Sequence, residues 1–266
     1  MRLNFISINK YMKNFIFTIF ILISLSSFSQ LNPLISKVYS YENSKIENNP
    51  NGSVRSIFNG AGSILSSHSI KVITMEKGKK NAYTNNNQTE LFIIVKDGPI
   101  SFTLNNKVTE LVRGSIVCLL PGNVLKVANT GNTTISYYEM LYHSYAPVNK
   151  ERAVLAGGSF FIDWNNIVFK EHDRGGVRQF FNRPTAMLNK FDIHVTTLNP
   201  GKKSHDPHTH TDEEIILMLE GNGEMRIANE QQSCKAGDVV YLNSMFLHNI
   251  TNIGELPAVY YAIQWN

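Results

Sequence analysis

The stretch SHDPHTHTDEEIILMLEG, residues 204–221, decides how this chain is read. Three histidines and five carboxylates stand in 18 residues, and the charge then gives way to an apolar run ending in glycine. Along an extended strand successive side chains point to opposite faces. His208, His210 and Glu214 therefore share one face, and His205 and Glu213 are expected on the other. The chain turns at Gly221, and a later strand beginning after Gly237 carries His248 toward the same place. Three imidazoles and one carboxylate converging on one point form a site for a divalent transition metal, whose charge the single carboxylate only partly offsets. His205 and Asp206 precede Pro207, which favours extended or loop backbone, and they read as solvated loop or rim.

Working outward, the chain repeats itself at an offset of 123 residues. NGSVRSIFNGAGSIL (51–65) aligns with GGVRQFFNRPTAML (175–188), so Arg55 pairs with Arg178 and Asn59 with Asn182. GKK recurs at 78–80 and 201–203, Gly98 meets Gly221, Gly114 meets Gly237, and SYYEMLY (136–142) meets VYYAIQW (259–265). A constant offset over about ninety residues is the mark of duplication. Each half reads as short strands broken by glycine turns, as in ELFIIVKDGPISFTL and EIILMLEGNGEMRI. No segment holds a helical period beyond about two turns. The expectation is an all-β protein of two tandem jelly-roll barrels, residues 30–145 and 146–266. The repeat is also an internal control. His208, His210, Glu214 and His248 correspond to Asn85, Asn87, Leu91 and Leu125, so the first barrel is expected to be metal-free. Glu213 corresponds to Glu90, kept where no metal can sit, which gives Glu213 a structural or surface role. Arg55 and Arg178 are read as packing or interface residues.

The chain has 266 residues, enough for a sizeable core, with a formal charge of +4. The first 29 residues hold Arg2, Lys10 and Lys13 and no acid, so the remainder carries +1. That balance, with no Lys/Arg cluster, argues against a nucleic-acid partner. Lys10 and Lys13 flank an 11-residue apolar run, Phe15 to Leu25, followed by Ser27-Phe28-Ser29. This reads as a signal peptide, residues 1–29, with no membrane span after cleavage and an exported, periplasmic or secreted product. The two cysteines, Cys118 and Cys234, lie in different halves and are expected as buried free thiols. His194 sits on a predicted strand and is read mainly as structural or surface. Tyr241, Tyr260 and Gln264 are read as strand packing that can reach the cavity. His68, His143 and His172 fit no spacing.

These motifs carry a resemblance to the cupin superfamily. Its first motif, G-x5-H-x-H-x3/4-E-x6-G, is similar to Gly201, His208, His210, Glu214 and Gly221, with one extra residue after Gly201. Its second, G-x5-P-x-G-x2-H-x3-N, matches Gly237, His248 and Asn252, with Asn243 and Met245 in place of proline and glycine. The resemblance implies two double-stranded β-helix barrels, a bicupin, with the intact ligand set only in the second. It implies one bound divalent ion (Mn, Fe, Ni or Zn) and a small-molecule substrate. A homodimer is compatible with the resemblance and is not specified by it. Cupins host many chemistries. An exported isomerase, lyase or hydrolase of a small polar metabolite is favoured, with a sugar acid or unsaturated uronate as the substrate class. A non-haem iron dioxygenase and a non-catalytic sugar- or metal-binding module are the alternatives.

Overall fold

The alternation that marks the sequence becomes strands wherever a glycine turn bounds it. The computed structural model describes residues 31–84 and 86–266; the signal-peptide reading of 1–29 and Asn85 lie outside the described residues. Strands dominate, and the one α-helix among the described residues, Lys150–Leu155, is six residues long. No helix there is long and apolar enough to cross a membrane.

Each half contributes one seven-stranded sheet and a smaller sheet facing it. In the second half Glu213–Glu220 lies between Val239–Leu242 and Ala258–Trp265, which pairs in turn with Phe191–Leu198. The facing sheet joins Asn222–Ile227 to Glu230–Lys235 and His248–Asn252. The first half repeats the plan, with Glu90–Asp97 between Ile116–Leu119 and Ile135–Ser144. Because the repeat offset is odd, the faces swap parity. Ile216, Met218, Leu242, Tyr260 and Ala262 fill the second barrel, and Leu91, Ile93, Leu119, Leu125 and Tyr137 fill the first. The opposite faces, including Ile215, Leu217, Tyr241 and Ile263 against Phe92, Ile94, Tyr138 and Met140, form the largest core, which runs between the two barrels. The central strands are thus buried on both faces, which is why EEIILMLE is a nearly unbroken apolar run after its two acids.

The halves also exchange strands. Lys37–Tyr39 pairs with Val239–Leu242, and Phe160–Ile162 pairs with Ile116–Leu119. These arms obey the same offset, so the duplication begins earlier than the sequence identities suggest. Beyond each arm an aromatic ring docks on the opposite barrel: Tyr41 against Gly237 and Trp164 against Gly114. Both glycines have positive φ, 96° and 81°. A Cβ there would lie 2.9 Å from Tyr41 or 2.4 Å from Trp164, so the close approach needs glycine. The repeated arginines hold these rings: Arg55 stacks 4.2 Å from the Tyr41 centroid and Arg178 4.7 Å from that of Trp164. This agrees with the packing and interface reading of the pair. Cys118 and Cys234 are buried free thiols, as expected, and burial raises both pKa values, that of Cys234 to about 12.

Candidate metal centre

Two adjacent carboxylates begin the strand Glu213–Glu220 and go opposite ways. Glu213 enters the core between the barrels, fully buried. It accepts hydrogen bonds from Tyr241 Oη at 2.8 Å, Trp265 Nε1 at 2.9 Å, Ser63 Oγ at 2.8 Å and the Ser63 amide. Its repeat partner Glu90 mirrors it, accepting from Thr185 Oγ1 and the Ala186 amide, both at 2.7 Å. Each glutamate thus ties one barrel to a loop of the other. The structural half of the earlier reading holds and the surface half does not.

Glu214 turns into the second barrel, 4% exposed. Its Oε2 lies 3.2 Å from His210 Nε2 and 3.0 Å from His248 Nε2. Burial alone would raise the Glu214 pKa; the facing imidazoles of His210 and His248 overcome it and hold the carboxyl at about 2. His208 completes the cluster, its ring centroid 4.8 Å from His248 and 5.4 Å from His210. The structure therefore brings His208, His210, Glu214 and His248 together, although only Glu214 and His248 stand on strands: His208 makes one isolated bridge to His248, and His210 lies in the irregular segment before Glu213–Glu220. Burial, then the neighbouring His205, His248 and His210, lower the His208 pKa. The turn before His248 lacks the motif's glycine, but Met245 takes the left-handed conformation, φ 64°, in its place. Its amide donates to the His210 carbonyl at 2.8 Å, so the substitution leaves the turn intact.

The donor set fits a divalent transition ion. His210 Nδ1 is 2.9 Å from the Asp212 carbonyl and His248 Nδ1 is 2.8 Å from that of Phe246. A proton fixed on Nδ1 leaves the Nε2 lone pair facing inward, which is how ligating imidazoles are oriented. His210, Glu214 and His248 form one group able to hold a metal, and His205, His208 and His248 form another. With the ion bound, these groups supply a Lewis acid at the cavity floor.

A cavity of about 300 Å³ opens beside the cluster. His208, Glu214 and His248 line it, with Ile216, Ile250 and Met225 as apolar wall. His194, Thr196, Tyr260 and Gln264 face it too, since these even positions share the inner face with Glu214. Gln264 Nε2 reaches Glu214 Oε1 at 3.3 Å. Tyr241 faces away, bound to Glu213. Three residues depart from the sequence reading. His194 is a wall residue, where a structural or surface place was expected. His172, assigned nothing by spacing, also lines the cavity. His205, expected to point away, sits in it with its ring 4.0 Å from His208. Strict alternation fails there because the segment before Pro207 is not a regular strand. His172 belongs to the edge strand Lys170–His172, whose pairing with Gly175–Arg183 had no local signal.

The chain is similar to known proteins on both the sequence and the fold. The model of the family described as "Cupin domain" matches residues 194–264. An uncharacterized protein of Methanocaldococcus jannaschii is 45% identical over 51 residues, 19% of this chain and 41% of that protein, so the match spans about two fifths of the relative. Among solved structures, an oxalate decarboxylase of Lactobacillus farciminis in a formate complex superposes with TM-score 0.66 at 12% identity, covering 88% of this chain and 87% of that one. Protein Ylba from E. coli gives TM-score 0.66 at 17% identity, covering 87% and 93%. AerE from Microcystis aeruginosa gives 0.65 at 14%, covering 84% and 97%. At these identities the likeness is one of fold, and it extends over both barrels. The domain model spans the strands that carry Glu214 and His248, so residues 194–264 match a cupin domain, and over both barrels the likeness to the solved structures is one of fold.

Proposed function

We propose that this protein is a metal-dependent enzyme of a small polar metabolite, with its chemistry in the second barrel. The observation that carries the reading is the convergence of His210 Nε2 and His248 Nε2 on the buried Glu214 carboxylate at the floor of a cavity. His208, His210, Glu214 and His248 are the proposed ligands of one divalent ion, Mn, Fe, Ni or Zn. The cavity is at the small end of the ligand-pocket range of about 300–1,000 Å³, which suits a molecule no larger than one sugar unit. One glutamate against a divalent charge leaves the site net positive, which favours a carboxylate-bearing substrate. Tyr260, Thr196 and Gln264 offer hydrogen bonds to its hydroxyls. His194 lies outside both ligand groups yet faces the cavity, and is the group proposed to accept and return a proton.

A sugar acid, with isomerase or lyase chemistry, is the favoured substrate class. Residues 1–29 read as an export signal and support a place outside the cytoplasm, in the breakdown of acidic polysaccharides. Metal analysis and assay test this together. About one equivalent of Mn, Ni or Zn with turnover of an unsaturated uronate supports it. Fe(II) with O₂ consumption replaces it by dioxygenase chemistry. Metal or sugar binding without turnover replaces it by a binding module. Mass analysis of the protein purified from its host, expected to begin at Gln30, tests the export reading.

A further inference from the structure

The segment before His208 does not follow its repeat. In the first barrel Lys80–Thr84 pairs with Val124–Ala128 residue for residue. The second barrel starts in the same register: Lys203 bridges Thr251, and the Ser204 amide donates to the Ile250 carbonyl at 2.9 Å. Two residues further along the partner strand, His248 is bridged not by Asp206 but by His208, through paired amide–carbonyl bonds of 3.2 and 3.0 Å. Two extra residues are therefore looped out between Ser204 and His208. Pro207 has no amide to give to the ladder. Bulges of this kind re-aim a side chain next to a functional site, and this one aims His205 into the cluster.

The His205 ring is arranged as two of the proposed ligands are. Its Nδ1 is 2.9 Å from the Asp206 carbonyl, as His210 and His248 hold theirs on carbonyls, so its Nε2 is the free donor. It lies 4.0 Å from the His208 ring and 6.1 Å from that of His248. Donor atoms of His205, His208 and His248 fall within 4.8 Å of one another. Two opposed donors at about 2.1 Å from one ion span roughly 4.2 Å, so an opposed pair in this group closes with a shift of at most about 0.6 Å, and His248, shared with His210 and Glu214, joins it to the rest of the donors.

We propose that His205 is a fifth protein ligand of the metal, joining His208, His210, Glu214 and His248 and leaving one open position on an octahedral ion. This rests on the metal-site reading above. The test is a Co(II) titration of chelator-stripped protein, read by Kd and visible spectrum, with circular dichroism confirming the fold. His205→Ala is expected to bind Co(II) at least about tenfold more weakly, with an altered spectrum that added imidazole restores. His208→Ala is expected to lose binding altogether. Parent-like affinity and spectrum in His205→Ala would overturn the fifth ligand while leaving the metal site standing. Failure of the parent to bind Co(II) would overturn both readings.

Discussion

The two barrels share a strand plan, an exchanged arm, a stacked arginine and a buried interface glutamate, and differ in what fills them. In the second, Glu214 and His248 stand at the floor of a polar cavity. In the first, the corresponding Leu91 and Leu125 are fully buried and pack with Phe102, Leu104 and Val127 into an apolar core. Burying a leucine contributes about 2 kcal/mol. Burying a carboxylate costs several unless it is paired, and Glu214 is kept charged only by the imidazoles around it. The lesson is a division of labour: one copy is filled by an apolar core, and the other holds a cavity with donors that are costly to bury without each other.

The strongest way to break this comparison is to remove a ligand. His248→Ala is expected to lower metal content from about one equivalent to near zero and to abolish activity, whereas Asn87→Ala leaves metal content unchanged. Elemental analysis of both decides, and a fall in metal for Asn87→Ala would mean that the first barrel also binds. Metal should likewise leave on acidification, as protons compete with the ion for the ligating nitrogens.

The shared features should behave alike in both halves. Glu213→Ala leaves the Tyr241 and Trp265 donors unpaired in a dry core, at about 1–3 kcal/mol each, while exposed Ser63 turns to water. A total loss of several kcal/mol is expected in chemical denaturation, and a similar loss for Glu90→Ala. If only one of the two mattered, the glutamates would not be equivalent ties.

His68 sharpens the comparison further. It is buried among Phe58, Tyr142 and Trp265 in the core between the barrels, where the repeat has Phe191. Burial lowers its pKa to about 3. The unfolded chain, near 6.5, binds the proton first, so the folded state loses stability as pH falls from about 6.5 toward 3. At pH 4 the loss from this one group is about 3 kcal/mol. His68→Phe should remove that part of the pH dependence in melts at pH 7 and pH 4; an unchanged difference between the two would contradict the burial argument. The smallest effect is expected at Met245. Relief of its left-handed backbone by Met245→Gly should raise stability by about 1 kcal/mol without changing metal affinity.

By itself the sequence determined the duplication and the all-β class, and it named His208, His210, Glu214 and His248 as candidate donors, because glycine turns and motif spacing are local. It also separated Glu213 from Glu214, since neighbours on a strand cannot share a face. It did not reveal what Glu213 meets, because Ser63 lies 150 residues away and only the docking of the barrels brings them together. The exchanged arms at Lys37–Tyr39 and Phe160–Ile162 carry no shared residues to detect, since edge pairing is made by backbone groups that every sequence has. His172 entered the cavity by such a pairing. His205 entered through a two-residue bulge, whose looped-out residues no longer follow the alternation of the ladder. Local spacing names the candidate donors; the place of His205 was decided by how segments forty residues apart closed on each other, because a looped-out residue takes its direction from the pairing on either side of it.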